Sequence, residues 1–329
     1  MTLFRQTAIA ACLTLGVSFG ASAADVTLRF GHDQPPDSMY DAGHLALKKT
    51  LEELSDGAIE VEVFPAAQLG AEVEMIEGMR LGSVDGAVAH VANAATVVPE
   101  LGLFSVAYLF NDRDHFERVV NDPAFLERIS SLVEGKDLGL KVLGVYSAGV
   151  RNIYTRKGPA MSPDDLAGTK IRVMNNPIEA KIWSTLGAIP TPMNFGEVYQ
   201  ALQSGVLDAA ENGPAVIESN KHYEAADTII ETEHQRSVAL LLMSEEKFEA
   251  LSPAFQANLL EAAEMAAQTE RDVDAELNAA AISRMKEKGV AVVQPDKSAF
   301  AAKVAAIQDE VAADLGMTDV LELIRAHAD

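Results

Sequence analysis

Cysteine is almost missing from this 329-residue chain: Cys12 is the only one, and it lies inside the apolar run Thr7 to Phe19 near the N-terminus. The rest of the chain therefore offers no disulfide, no thiolate metal site and no cysteine nucleophile. Basic residues are scarce too, with 26 Lys and Arg against 49 Asp and Glu and a formal net charge of −23. That balance argues against nucleic acid as a partner, because phosphate binding needs a basic face. The excess acid reads as a solvated surface that aids solubility. Long apolar runs are lacking: after Ala23 nothing approaches the ~18 uninterrupted apolar residues of a transmembrane helix. There is no internal repeat and no low-complexity linker.

Catalytic signatures are equally absent. The chain contains no G-x-G-x-x-G, Walker loop, H-E-x-x-H or G-x-S-x-G. Gly144-Val145-Tyr146-Ser147-Ala148-Gly149 is one residue out of register for a nucleophile elbow. Asn111-Asp112-Arg113-Asp114-His115 lacks the glycine and terminal glutamate of a calcium loop and reads as a solvated turn. No metal and no cofactor are expected.

What is present begins with Arg5, the apolar run and Ala21-Ser22-Ala23, the pattern of a secretory signal over residues 1–23 cut after Ala23 or Ala24. An exported, periplasmic mature chain is expected. Beyond it, strand and helix patterns alternate. Val26, Leu28 and Phe30 alternate with polar residues, as do Ile59, Val61 and Val63, which predicts strands. Leu47, Leu51 and Leu54 share a helix face that ends at Gly57, and a second helix is expected over Ala71 to Arg80. Further strands are predicted at Val84–Val88, Leu140–Tyr146, Ile171–Val173, Val206–Ala209 and Val238–Met243. Ser162-Pro163-Asp164-Asp165 reads as a helix start, and Asn194 with Glu197 as a capping box for a helix running to Ser204. Glu211-Asn212-Gly213-Pro214 reads as a tight turn. Such alternation implies an α/β fold with mainly parallel sheets covered by helices. From Ser252 to Glu287 there is no glycine and no proline beyond Pro253, so a single helix about 50 Å long should brace two domains.

Polar residues gather just after apolar strands: His32 and Asp33, His90 and Asn93, Arg151, Arg172 with Asn175, and Asn212. In open α/β sheets ligands bind beyond the carboxyl ends of strands, so these side chains are candidates for one cleft. Arg172 differs from the others because it sits within the strand Lys170-Ile171-Arg172-Val173, on the face opposite Ile171 and Val173. A guanidinium there needs an acceptor, either a ligand carboxylate held by two hydrogen bonds or a structural Glu or Asp. Trp183, beside Ile182 on a helix, reads as core.

The run from Lys170-Ile171-Arg172-Val173 through Leu186-Gly187-Ala188-Ile189-Pro190-Thr191-Pro192-Met193-Asn194-Phe195-Gly196-Glu197-Val198-Tyr199 to Asp208-Ala209-Ala210-Glu211-Asn212 resembles one family. Together with Phe64-Pro65-Ala66-Ala67-Gln68-Leu69-Gly70 and Lys221-His222-Tyr223-Glu224, it looks like the DctP-type solute-binding proteins of tripartite ATP-independent periplasmic (TRAP) transporters. The resemblance covers almost the whole chain after residue 23. It implies the periplasmic solute-binding fold: two α/β domains joined by hinge strands near Val145 and Val238, closing over a small organic acid. The domains would be residues 24–148 plus 238–277 and residues 149–237 plus 278–329, with the cleft between them. By the same resemblance Arg172 grips the ligand carboxylate, Arg151 is a second ligand arginine, Asn212 and Phe195 line the pocket, and Asp33 and the His90–Asn93 stretch vary with substrate. His32, Asn175 and Glu211 complete the candidate set. Ala210 and Gly213-Pro214 depart from the family's usual turn.

The polar character of Asp33, His90 and Asn93 favours a hydroxylated ligand, which supplies partners for otherwise unpaired groups. A sugar acid is the first expectation, with a C4 dicarboxylate or keto acid as alternatives. The partners implied are that acid and the membrane permease of the transporter, with the receptor itself expected to be a monomer. A secreted sugar-acid lyase or isomerase, using His32 or His90 as base near Asp33, is the competing reading from the enzyme class. A ligand sensor signalling to a membrane partner is the third.

Overall fold

A computed structural model gives the fold and describes residues 24–328. The expected signal segment 1–23, with Cys12, lies outside the described residues. The strands are β1 (Val26–Gly31), β2 (Ile59–Phe64), β3 (Gly86–His90), β4 (Leu140–Thr155), β5 (Lys170–Val173), β6 (Ile189–Pro192), β7 (Ala209–Asn212), β8 (Thr228–Ser244) and β9 (Ala291–Val293). They hydrogen-bond in the order β2-β1-β3-β8-β4-β7-β5-β6, with β9 beside β8.

The two wings of this sheet are parallel, β1 with β2 and β3, and β5 with β6 and β7. Helical crossovers connect those strands, as parallel pairing requires. The centre is antiparallel, because the chain passes from one wing to the other along β4 and returns along β8. These two strands are 16 and 17 residues long, and each belongs to both wings. β3 pairs with the Ala239–Met243 half of β8, whereas β7 pairs with the Asn152–Thr155 half of β4. Between the halves the β4–β8 register slips most widely from Arg151 to Ile153, and by a single residue from Ser147 to Val150. Gly149 sits in that slip at φ +73°, a conformation glycine adopts without strain. A Cβ there would also meet Asn278 Nδ2 at 2.6 Å.

The helix Pro253–Glu287 runs unbroken for 35 residues, started by Ser252, whose hydroxyl accepts from the Phe255 N–H. Leu259, Ala262, Ala263 and Ala266 pack with Leu47, Leu51 and Tyr146 on the first wing. Ala281 and Met285 pack with Tyr154, Leu202 and Ile229 on the second. Its alanines allow close approach to helix Met39–Leu54, where Gly43 faces Tyr146 and Glu270. Trp183 is buried in the largest core cluster. The C-terminal helix Thr318–Ala326 returns to the helix Arg113–Val120, where His115 Nε2 lies 2.7 Å from the Ile324 carbonyl.

Several local expectations are corrected. The strand expected to stop at Tyr146 continues to Thr155, so Arg151 lies within β4 rather than after it. Glu211 and Asn212 end strand β7 instead of forming a turn; the ladder to β4, out of reach of local pattern, draws them in. The helix expected at Ser162 is one 3-10 turn, Pro163–Leu166. Asn194 makes no side-chain cap bond, since its Oδ1 accepts from Asn175 Nδ2 instead. Asp112 caps the helix Arg113–Val120 by accepting from the His115 N–H.

Candidate functional site

The carboxyl ends of β1, β3, β5 and β7 face one cleft, the usual place for a ligand in an α/β sheet. Strand β1 delivers Asp33 and Gln34, and β3 delivers His90 followed by Asn93 on the single turn Val91–Ala94. Strand β4 contributes Arg151, β5 Arg172 with Met174 just beyond, and β7 Asn212. Phe195, Tyr40 and Glu72 close the walls. Seven of the residues singled out from the sequence thus meet here: Asp33, His90, Asn93, Arg151, Arg172, Phe195 and Asn212.

The two arginines have different surroundings. Arg151 Nε and Nη2 both donate to the Glu211 carboxylate, Nη2 also to the Glu211 carbonyl (2.8 Å), and Nη1 to Asn212 Oδ1 (3.0 Å). Four of the five guanidinium N–H groups are therefore committed. Burial by itself would raise the Glu211 carboxyl, but Arg151 and then His234 outweigh it and hold it at about 2. The pair is a buried, self-neutralised bridge, and Glu211 lies behind Arg151 rather than on the cleft wall.

Arg172 is almost as buried, at 3% exposure, yet among the described residues it has no ion-pair partner. Its Nε donates to the Met193 carbonyl at 3.0 Å, which fixes the plane of the fork. The guanidinium lies 5.9 Å from the centre of the Phe195 ring. Both Nη groups are left without a protein acceptor among the described residues. Burial lowers its pKa, Glu211 opposes this, and a guanidinium stays protonated in either case.

Around this cation stand further groups with unused hydrogen-bonding capacity. His90 Nδ1 accepts from the Ala92 N–H at 3.1 Å, which assigns the ring proton to Nε2, and Nε2 has no partner. Burial, then Arg151, lowers His90 to about 3, so the ring is neutral. Asn93 Nδ2 donates to Glu72 Oε2 at 2.7 Å while its Oδ1 is buried and unpartnered. Glu72 Oε2 also accepts from the His90 N–H at 3.0 Å. Asp33 accepts from Gln34 Nε2 at 2.9 Å. At the mouth, His222 is held by the Tyr154 hydroxyl at 2.7 Å and lies 5.3 Å from the Phe195 ring.

The structure does not bring His32, Asn175 or Glu211 to the cleft wall. His32 is fully buried against Asp41 and His44, and burial lowers it to about 4. Asn175 spends its amide on Asn194. For the competing enzyme reading this matters: His32 is off the cleft, and the lone-pair nitrogen of His90 is already taken by a backbone N–H. Among the described residues no group of His, Asp and Glu has the geometry of a metal site. Sequence reasoning missed Glu72, Gln34 and Tyr40. Glu72 opens a helix, where an acid is ordinary first-turn chemistry, so nothing local marked it. Gln34 was reachable as the neighbour of Asp33.

Comparison with known proteins agrees with this architecture. Residues 30–314 match the family model described as bacterial extracellular solute-binding protein, family 7, or DctP. The 2,3-diketo-L-gulonate-binding periplasmic protein of Escherichia coli is 35% identical over 284 residues, 85% of each chain. Among solved structures, a TRAP periplasmic solute-binding protein from a Sulfitobacter species with bound β-D-galacturonate is 30% identical, with a TM-score of 0.86, covering 91% of this chain and 99% of that one. The sugar acid binding protein of Advenella mimigardefordensis in complex with galactonate is 26% identical, with a TM-score of 0.88, covering 93% and 100%. With a two-wing sheet, a cleft at its strand ends and this match over most of its length, the chain belongs to the DctP family of TRAP transporter solute-binding proteins.

Proposed function

We propose that this protein is the periplasmic receptor of a TRAP transporter for a sugar acid, a uronate or aldonate, which it passes unchanged to the membrane permease. The observation that carries the reading is Arg172, a buried guanidinium whose two Nη groups have no acceptor among the described residues, set among hydroxyl-matching partners. A carboxylate suits that planar fork by two parallel hydrogen bonds. His90 Nε2, Asn93 Oδ1 and Asn212 are then available to sugar hydroxyls. Arg151 would touch the ligand through its one uncommitted N–H and otherwise hold Asn212 in place. The ligands named for the similar proteins, galacturonate, galactonate and 2,3-diketo-L-gulonate, support the class.

Residues 24–148 with 238–277 and residues 149–237 with 278–329 would move as two bodies about the slip at Ser147–Val150, burying the acid between them. The test is a thermal-shift screen over uronates, aldonates, keto acids and C4 dicarboxylates. Ligand at 100 times its dissociation constant stabilises the folded state by ~2.7 kcal/mol, which moves the midpoint by several degrees. A uronate or aldonate should give the largest shift and be recovered chemically unchanged. A shift with succinate or malate and none with any sugar acid would overturn the assignment.

A further inference from the structure

The cleft's charge balance goes further than its class of ligand, and the argument rests on the sugar-acid reading above. Four charged side chains line it: Arg151, Arg172, Asp33 and Glu72. Arg151 is neutralised from behind by Glu211, so one cation, Arg172, faces two carboxylates. Asp33 and Glu72 have no ion-pair partner among the described residues. Their only hydrogen bonds come from neutral donors, Gln34 Nε2 on Asp33 and the His90 N–H with Asn93 Nδ2 on Glu72. The second oxygen of each carboxylate accepts nothing within the described protein.

We propose that Asp33 and Glu72 limit the receptor to acids with a single carboxylate, serving as hydroxyl acceptors that reject a second anionic end. Once a ligand carboxylate occupies Arg172, no cation is left for another. A terminal hydroxyl supplies the donor that Asp33 and Glu72 lack, whereas a terminal carboxylate adds another negative group beside two crowded carboxyls, most unfavourably above pH 8 where both are charged. The crowding is visible in their titration: burial, then the charge of Asp33, pushes Glu72 up to about 8, and burial likewise raises Asp33. Like charges brought together in a desolvated site cost several kcal/mol, so discrimination of about 100-fold or more is expected.

The experiment is calorimetry with D-galactonate and galactarate, which differ only in a terminal CH₂OH against a carboxylate, with succinate and D-galacturonate alongside. Wild-type protein at pH 9, where Glu72 is ionised, should prefer galactonate by about 100-fold or more, and by less at neutral pH where Glu72 keeps its proton; the variants are compared at pH 9. Glu72→Gln, Asp33→Asn and the double variant keep shape and remove charge, and each should narrow the galactonate-to-galactarate ratio by about tenfold or more. Apo melting curves confirm that each variant is folded. Wild-type affinities within threefold of each other, or a double variant with undiminished discrimination, would overturn the proposal while leaving the sugar-acid receptor standing. Failure of both galactonate and galacturonate to bind, with succinate bound, would instead overturn the receptor reading and this inference with it.

Discussion

Arg151 on β4 and Arg172 on β5 are both buried, both aimed at the same cleft, and separated in the sheet by β7 alone. Strand β7 serves them unequally. Its Glu211 and Asn212 engage four of Arg151's five N–H groups, while among the described residues Arg172 is met by the Met193 carbonyl on its Nε alone. One arginine is therefore tied into the architecture by most of its N–H groups, and the other keeps unused hydrogen-bonding capacity at the cleft. Burying a charge without a partner is costly, so an unpaired guanidinium persists only where the rest of the fold can bear it. Here the extended core around the long helix and the Arg151–Glu211 bridge bear it.

Breaking the paired side should have the largest effect. Arg151→Ala leaves Glu211 buried without its cation and is expected to cost about 3–5 kcal/mol of stability, read by urea unfolding of the ligand-free protein. The acid limb should change with it. Glu211 is held at about 2 against an ordinary 4.5, so its stabilisation is full above pH 4.5 and disappears as pH falls toward 2. In Arg151→Ala that loss toward acid should vanish, because burial then raises the same carboxyl. An unchanged urea midpoint and acid limb would make Arg151 a ligand group and nothing more.

On the open side, Arg172→Ala should weaken sugar-acid binding by roughly 30-fold to several thousand-fold, equivalent to ~2–5 kcal/mol, with the apo melting curve nearly unmoved. Arg172→Lys should recover only part, since a point charge cannot reproduce the two-bond fork. Wild-type affinity in Arg172→Ala, or a large drop in apo melting temperature with normal binding, would erase the contrast between the arginines.

A smaller effect tests the cost of the open side. Glu72 titrates near 8 in the folded protein, so the folded state keeps its proton longer than the unfolded chain does. Its contribution is full below pH 4.5 and lost as pH rises toward 8. Glu72→Gln should therefore stabilise the apo protein more at pH 8 than at pH 5, read by urea unfolding at both. Destabilisation at pH 8 would show that the charge is compensated. The smallest effect belongs to Asn175→Ala, whose amide meets only Asn194 near the surface: within about 0.5 kcal/mol in stability and less than twofold in affinity, checked by melting and calorimetry.

How far the sequence carried can be judged from these same residues. Period-two alternation placed β1 and β2 and the strand around Arg172, and an uninterrupted helix-forming stretch located the 35-residue helix almost to the residue. These are local signals, set by side-chain spacing and backbone propensity. Strand ends also named six of the cleft's residues, because a strand's carboxyl end is a position along the chain, and the family resemblance added Phe195. The extent of β4 and the strand character of Glu211 and Asn212 were hidden, since each depends on a ladder partner some sixty residues away, Arg151 and Glu211 being 60 apart.

Composition and local pattern by themselves determined the α/β class, the lack of any thiol beyond Cys12 and the excess of acidic residues, and with the family block they determined the receptor fold. They left open whether a strand arginine meets a ligand or a structural acid, and tertiary structure sets the two arginines apart. The β4–β7 pairing sets Glu211 against Arg151, and among the described residues no carboxylate is set against the fork of Arg172. Spacing along the chain can call for an acceptor, but only the pairing of distant strands determines which donor receives it.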